Sequence, residues 1–153
     1  LELGVNTLEL DVVISKDGQV VVSHEPYFNA EFSSKPDGQP VTKAEQKSLN
    51  LHQMSYADIR RYDVGRNGNP AYPEQQKLAT YKPLLSEVIR EAEAWAKAHG
   101  NPQFSYNIEI KSETEEYGKS QPAPAEFSEL VVAQLRQIPP ERIVLQSFDF
   151  AVL

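Results

Sequence analysis

Apolar residues recur along this chain in two rhythms, and the informative places are those where charge interrupts one of them. Residues 8–14, Leu-Glu-Leu-Asp-Val-Val-Ile, read as a strand, and residues 20–23, Val-Val-Val-Ser, as a second. The turn Lys16-Asp17-Gly18 joins them, with glycine supplying the permissive φ such a turn needs. Side chains two apart on a strand share a face. Leu8, Leu10, Val12 and Ile14 therefore lie on one side, and Glu9, Asp11 and Val13 on the other. Residues 84–99 carry Leu85, Val88, Ala92, Trp95 and Ala96 at helical spacing, with Gly100 placed to close the helix. Residues 104–111 form another strand, 125–137 a helix with Phe127, Leu130, Val131, Gln134 and Leu135 along one side, and 143–148 a last strand. Trp95 and Phe127 are expected in the core.

Between these elements lies chain without rhythm. Residues 25–54 are rich in Pro, Gly, Ser and Asn, and loops of that length are uncommon unless they serve a function. They read as a lid or substrate loop. Ser55 is placed to cap a short helix over 56–62, and residues 66–82 and 112–124 read as irregular. The alternation of helix and strand in the later half predicts βαβ crossovers and a parallel sheet. About four strands are visible, whereas a closed eight-stranded barrel takes roughly 200–250 residues. The expected class is α/β: residues 1–153 as a single domain, the middle portion of a partial TIM-type (β/α)8 barrel, with central strands and crossover helices.

A strand buried on both sides has no stability reason to carry two carboxylates on one face, because unpaired buried charge is costly. The expected compensation is a bound cation. The strand containing Tyr106-Asn107-Ile108-Glu109-Ile110-Lys111 repeats the pattern, with Asn107, Glu109 and Lys111 on one face. In one barrel, Glu9, Asp11, Glu109 and Lys111 would face the lumen near the carboxyl ends of their strands, where barrel active sites are found. Three crowded carboxylates raise one another's pKa unless positive charge relieves them. Oxygen ligands without cysteine favour Mg2+ or Ca2+, leaving Lys111 to face an anionic substrate. His24, directly after the second strand, has a reference pKa near ~6.5 and can exchange a proton at neutral pH. The competing structural reading is a buried ion network in which Lys111 pairs with Glu109 or Glu9. His52 and His99 receive no catalytic role. Tyr27, Phe28 and Phe32 fit equally as a pocket wall or as loop anchors, and Lys119 and the acidic stretch 113–116 read as solvated loop.

Composition narrows the partners. The chain is 40% hydrophobic and 24% charged, an ordinary balance for one globular core, and contains no cysteine. That excludes a disulfide framework and a thiolate metal site; it accords with a reducing compartment and leaves a periplasmic one open. No apolar run approaches the ~20 residues of a membrane span, so stable membrane insertion is not expected. None of these residues reads as a signal peptide, and the chain opens at Leu1 and not at a methionine, so a leader or an upstream strand is expected to lie outside it as readily as not. Net charge is −7 with lysines and arginines scattered, which points away from nucleic acid and towards a cation.

Together these residues resemble the glycerophosphodiester phosphodiesterase family. The stretches that carry the resemblance are residues 8–24 ending at His24, Asn107-Ile108-Glu109-Ile110-Lys111, and Gln146-Ser147-Phe148-Asp149; 49–65 and 82–89 extend it over nearly the whole chain. The resemblance implies an α/β barrel that splits small-molecule glycerophosphodiesters into sn-glycerol 3-phosphate and an alcohol. It implies Glu9, Asp11 and Glu109 as ligands of a divalent cation, Mg2+ or Ca2+, and His24 as one of two catalytic histidines. Lys111 would stabilise phosphoryl charge and, with Phe148, contact substrate. In the family's mechanism the glycerol 2-hydroxyl attacks phosphorus, one histidine taking its proton and the other protonating the leaving alcohol, and water then opens the cyclic phosphate.

The family's opening His-Arg-Gly strand, its Pro-Glu-Asn and its last three strands have no counterpart in these residues, and Glu25 follows His24 where aspartate is commoner. On that basis residues 1–153 alone are expected to be inactive and unable to fold by themselves, since an unclosed barrel leaves strand edges exposed. Two further readings stand beside the first. One is a phospholipase D-like enzyme or inositol-phospholipid lyase of the same superfamily. The other is a non-catalytic binding module whose polar rows are ion pairs.

Overall fold

The computed structural model describes residues 1–100 and 104–153. Its sheet runs in the order β2-β1-β3-β4, formed by β1 (Thr7–Ile14), β2 (Val20–Val22), β3 (Ser105–Ile110) and β4 (Ile143–Gln146). Strands β1, β3 and β4 are parallel neighbours, and β2 runs antiparallel to β1. Helices α1 (Tyr56–Ile59) and α2 (Leu85–Ala98) lie between β2 and β3 in sequence, and α3 (Pro124–Leu135) joins β3 to β4. Three of the four strands are thus barrel staves, and β2 is the returning arm of a hairpin.

β1 is paired on both edges, over different lengths. It pairs with β3 from Thr7 to Val12 and with β2 from Val12 to Ile14. Gly18 makes the hairpin turn at φ 72°, its N–H reaching Ser15 O at 3.1 Å. Asp17 Oδ1 accepts from Ser15 Oγ at 2.7 Å and from the Tyr56 N–H at 2.9 Å, tying the hairpin tip to the start of α1. Ser55 caps α1 as expected, accepting the Asp58 N–H at 3.2 Å, but the helix is a single turn ending at Ile59.

The apolar faces meet in one main core. Val12 and Ile14 from β1, and Tyr106, Ile108 and Ile110 from β3, pack against Leu85, Ile89, Ala92 and Ala96 of α2 and Phe127, Val131 and Leu135 of α3. Burying each large aliphatic or aromatic side chain contributes about 1.5–3 kcal/mol. Phe127 is buried as expected; Trp95 only half covers the edge of the core, stacked on His99 at 4.1 Å. Ile89, not Val88, takes the inward position on α2. The helix begins after Pro83, where Glu87 accepts the Leu84 N–H at 3.0 Å, and Gly100 follows it at φ 67°.

A second, smaller core lies on the other face of the hairpin. Val13 and Val21 pack there with Phe28, Val41, Leu51, Tyr56 and Ile59. The segment 25–54 therefore forms a packed excursion with an interior of its own. Phe28 is fully buried and stacks on Tyr62 at 4.0 Å, so it anchors the excursion.

Candidate active site

The register of β1 and β3 sets Asp11 opposite Glu109 and Glu9 opposite Asn107. Carboxylate oxygens of Glu9, Asp11 and Glu109 lie within 4.8 Å of one another. Glu109 is buried, Asp11 half-buried and Glu9 exposed, so the row sits on a more open face than its apolar surroundings in sequence suggest. Partial desolvation where its carboxyl meets the cluster, then the neighbouring charges of Asp11 and Glu109, push Glu9 above its usual range. Burial also acts to raise Glu109, yet its contacts with Lys111 and Gln146 hold it below the ordinary value.

Lys111 does not stand free among these groups. Its Nζ donates to Glu109 Oε1 at 2.8 Å and lies 3.5 Å from Asp11 Oδ1. Sequence reasoning gave Gln146 no task, but its Nε2 donates to Glu109 Oε2 at 3.2 Å while its Oε1 accepts from Asn107 at 3.1 Å. Asn107 Oδ1 is buried without a hydrogen-bond partner. One ammonium among three carboxylates leaves net negative charge in a small volume. Crowded oxygen donors of this kind fit a hard divalent cation, with Glu9, Asp11 and Glu109 as the residues that would hold it.

His24 arrives from the other arm of the hairpin. The Ser23 N–H continues the ladder to Asp11 O at 2.9 Å, which sets the next residue at the rim of the carboxylate row. The imidazole is exposed, and its Nδ1 lies 3.6 Å from Glu25 Oε1, beyond hydrogen-bond reach. Glu25 instead accepts from Asn29 Nδ2 at 3.1 Å. His52 Nδ1 contacts Ile14 O at 3.1 Å and His99 Nδ1 contacts Trp95 O at 2.8 Å, so both are occupied with backbone elsewhere.

His24, Glu109 and Lys111 open onto a cleft of about 540 Å³. Tyr27 and Asn50 line it from the excursion, Glu113 and Glu116 from the loop after β3, and Phe148 from the end of β4. Tyr27 is thus a wall where Phe28 is an anchor, and the acidic stretch 113–116 borders the cleft and does not simply face solvent. The two loops are joined by Asn50 Nδ2, which donates to Lys119 O at 3.0 Å, while Lys119 Nζ folds back onto Glu115 O at 2.6 Å. Asp149 braces the loop after β3, accepting from Ser112 Oγ at 2.6 Å and from the Tyr117 hydroxyl. Those two donors hold its carboxyl below the usual range. Sequence reasoning also missed Lys82, buried beneath the bend that bears His24; nothing in its irregular stretch signalled a buried charge.

Fold and site together define an α/β-barrel protein with a carboxylate cluster on adjacent parallel strands. The model of the glycerophosphoryl diester phosphodiesterase family matches residues 1–153, and the chain belongs to that family. A candidate glycerophosphoryl diester phosphodiesterase from Silicibacter pomeroyi is similar in structure at TM-score 0.80 and 29% identity, over 99% of this chain and 50% of that one. An Oleispira antarctica phosphodiesterase, solved with its product sn-glycerol-3-phosphate, shares the fold at TM-score 0.64 and 20% identity, over 99% of this chain and 49% of that one. The uncharacterized protein YqiK of Bacillus subtilis is 28% identical over 120 residues, which is 76% of this chain and 38% of that protein. The chain thus spans half or less of the length of these relatives, and its staves are part of a TIM-type barrel. No helix among the described residues is long and apolar enough to cross a membrane.

Proposed function

We propose that the protein hydrolyses glycerophosphodiesters to sn-glycerol 3-phosphate and an alcohol, with residues 1–153 supplying its cation site, one proton-transfer histidine and part of the substrate cleft. The observation that carries this reading is the convergence of Glu9, Asp11 and Glu109 within 4.8 Å, beside Lys111. Family membership supports it, as does the product bound to the Oleispira antarctica relative. The three carboxylates would hold Mg2+ or Ca2+, and a bound ion of this type supplies Lewis-acid polarisation of a phosphoryl oxygen and orients the reacting groups.

The chain's own residues do the rest. Lys111 brings a fixed positive charge to the phosphoryl oxygens, where such stabilisation is worth most as negative charge builds. His24, exposed at the rim of the carboxylate row, exchanges a proton with a reacting hydroxyl. Tyr27 and Phe148 border the alcohol moiety, and the excursion 25–54 serves as the substrate loop.

The test uses the full-length protein. Calorimetric titration with Mg2+ and Ca2+ is expected to show saturable binding that Glu9→Gln weakens, and glycerophosphocholine is expected to yield sn-glycerol 3-phosphate only with the cation present. If Glu9→Gln binds the cation as the wild type does, the metal site is wrong. Faster turnover of intact phospholipid would favour the phospholipase D-like or lyase reading instead, and cation binding without turnover would favour a binding module.

A further inference from the structure

Lys82 is the only buried lysine among the described residues, and it makes no salt bridge among them. It stands just before Pro83, in a segment strapped along the free edge of β2. The Val22 N–H donates to Pro83 O at 2.8 Å, and Val21 bridges to Leu84. From there the side chain runs beneath the 23–25 bend, where Nζ donates to Ser23 Oγ at 2.5 Å. Ser23 Oγ in turn donates to Glu25 O at 2.6 Å. The Phe28 ring centroid lies 5.6 Å from the ammonium on the apolar side.

Stability does not account for a lysine at this position. A buried ammonium with one hydroxyl partner is costly, and an apolar side chain of similar length would fill the space without that penalty. Burial pushes its pKa down to about 8, opposed by the Glu25 charge. The geometry shows what the ammonium does instead. A serine hydroxyl has one proton to donate; once its lone pair accepts from an ammonium, that proton is directed onto the Glu25 carbonyl. The link closes over His24 from both sides, through the side chain of the residue before it and the backbone of the residue after it.

We propose that Lys82 is a positioning residue for His24, locking the 23–25 bend through the Ser23 hydroxyl so that the imidazole is presented to the cleft from a fixed backbone. The consequence for turnover rests on the hydrolase reading above; the consequence for the imidazole does not. Misplacing a reacting group by about an ångström can cost on the order of a hundredfold in rate.

The experiment compares Lys82→Met, Ser23→Ala and the double variant in the full-length protein. Each single variant is expected to lower kcat by about tenfold or more, with KM and cation affinity within about twofold of the wild type. The double variant is expected to be no worse than the poorer single one, because both act along one path. Independently of turnover, the His24 ring resonances are expected to be single and sharp in the wild type and to broaden or split in both single variants. A folded Lys82→Met protein with unchanged kcat and an unchanged His24 signal would overturn the proposal; so would additive losses in the double variant. If Lys82→Met does not fold, Ser23→Ala decides by the same two readouts. If the wild type releases no sn-glycerol 3-phosphate, the hydrolase reading fails while the His24 resonances still judge the Lys82 contact.

Discussion

Asp11 and Glu109 face each other in register across β1 and β3, and a single ammonium serves both: Lys111 Nζ lies 2.8 Å from Glu109 and 3.5 Å from Asp11. Glu9 completes the cluster but makes no salt bridge among the described residues. The ion pairs leave room for a cation, because one ammonium does not balance three carboxylates. The network exists, and it is short of positive charge by design of its composition. A cation bound to such a cluster would stabilise it.

Glu9→Gln is expected to weaken Mg2+ or Ca2+ binding at least about tenfold, equivalent to about 1.4 kcal/mol. The same change is expected to raise the melting temperature of the cation-free protein slightly, because it removes a carboxyl that its neighbours already disfavour as an anion. Calorimetric titration and thermal melts in chelator read the two effects. A lowered melting temperature in chelator would show that Glu9 is held by a contact the cluster does not reveal.

Lys111→Met leaves Asp11 and Glu109 without their shared donor. The cation-free protein is expected to lose about 1–3 kcal/mol, the typical cost of a carboxylate stripped of its partner in a partly buried site. Added Mg2+ is then expected to raise the melting temperature of this variant more than that of the wild type. Equal increments in the two proteins would contradict it.

Gln146→Ala removes the amide that orients Glu109. Groups that hold a ligand in place typically matter by about 10–100-fold in affinity, and a loss near the lower end is expected because Lys111 still grips the other oxygen. The titration that tests Glu9→Gln reads this variant too.

How much of this was legible in the chain divides along physical lines. The carboxylates stood out because charge at alternate positions of apolar strands has no stabilising role, and Glu9, Asp11, Glu109 and Lys111 do converge. The antiparallel sense of β2 follows from the Lys16-Asp17-Gly18 turn, since a connection that short cannot carry the crossover that a parallel pair needs. The interior of the excursion was hidden, because Phe28, Val41, Leu51 and Ile59 are brought together by the fold without a repeating spacing. Trp95 and Val88 lie at the margin of the helical stripe because such a stripe drifts, and Ile89 sits closer to its centre. Gln146 and Lys82 depend on register and on a returning loop, which no local pattern encodes.

His24→Asn separates function from stability. The side chain is 67% exposed, so unfolding free energy is expected to change by no more than about 0.5 kcal/mol. Turnover of glycerophosphocholine by the full-length protein is expected to fall by about 10²–10⁴, the usual contribution of a positioned general acid or base. Retained turnover would remove His24 from the reaction.

Lys82 gives the protein a pH signature. Its pKa in the folded state is pushed down to about 8 by burial, below the ordinary lysine value it regains on unfolding. Between those two values the unfolded chain binds more protons, so stability rises with pH across about 8 to 10 and is lower below that window. The gain is expected to reach about 2–3 kcal/mol in urea melts, following the size of the shift. Lys82→Met is expected to flatten this rise, and a rise that survives the substitution would assign it to another group.

The offset between the two pairings of β1 has an evolutionary consequence. Residues Thr7 to Val12 are committed to the neighbouring stave, while near the tip Val13 turns to a separate packing unit with Val21, Phe28 and Leu51 and Ile14 stays in the main core. Segments grafted onto that tip can lengthen, shrink or be rewritten without disturbing the walls below. A lineage built this way can remodel the roof alone, while the row of Glu9, Asp11 and Glu109 beneath is inherited untouched.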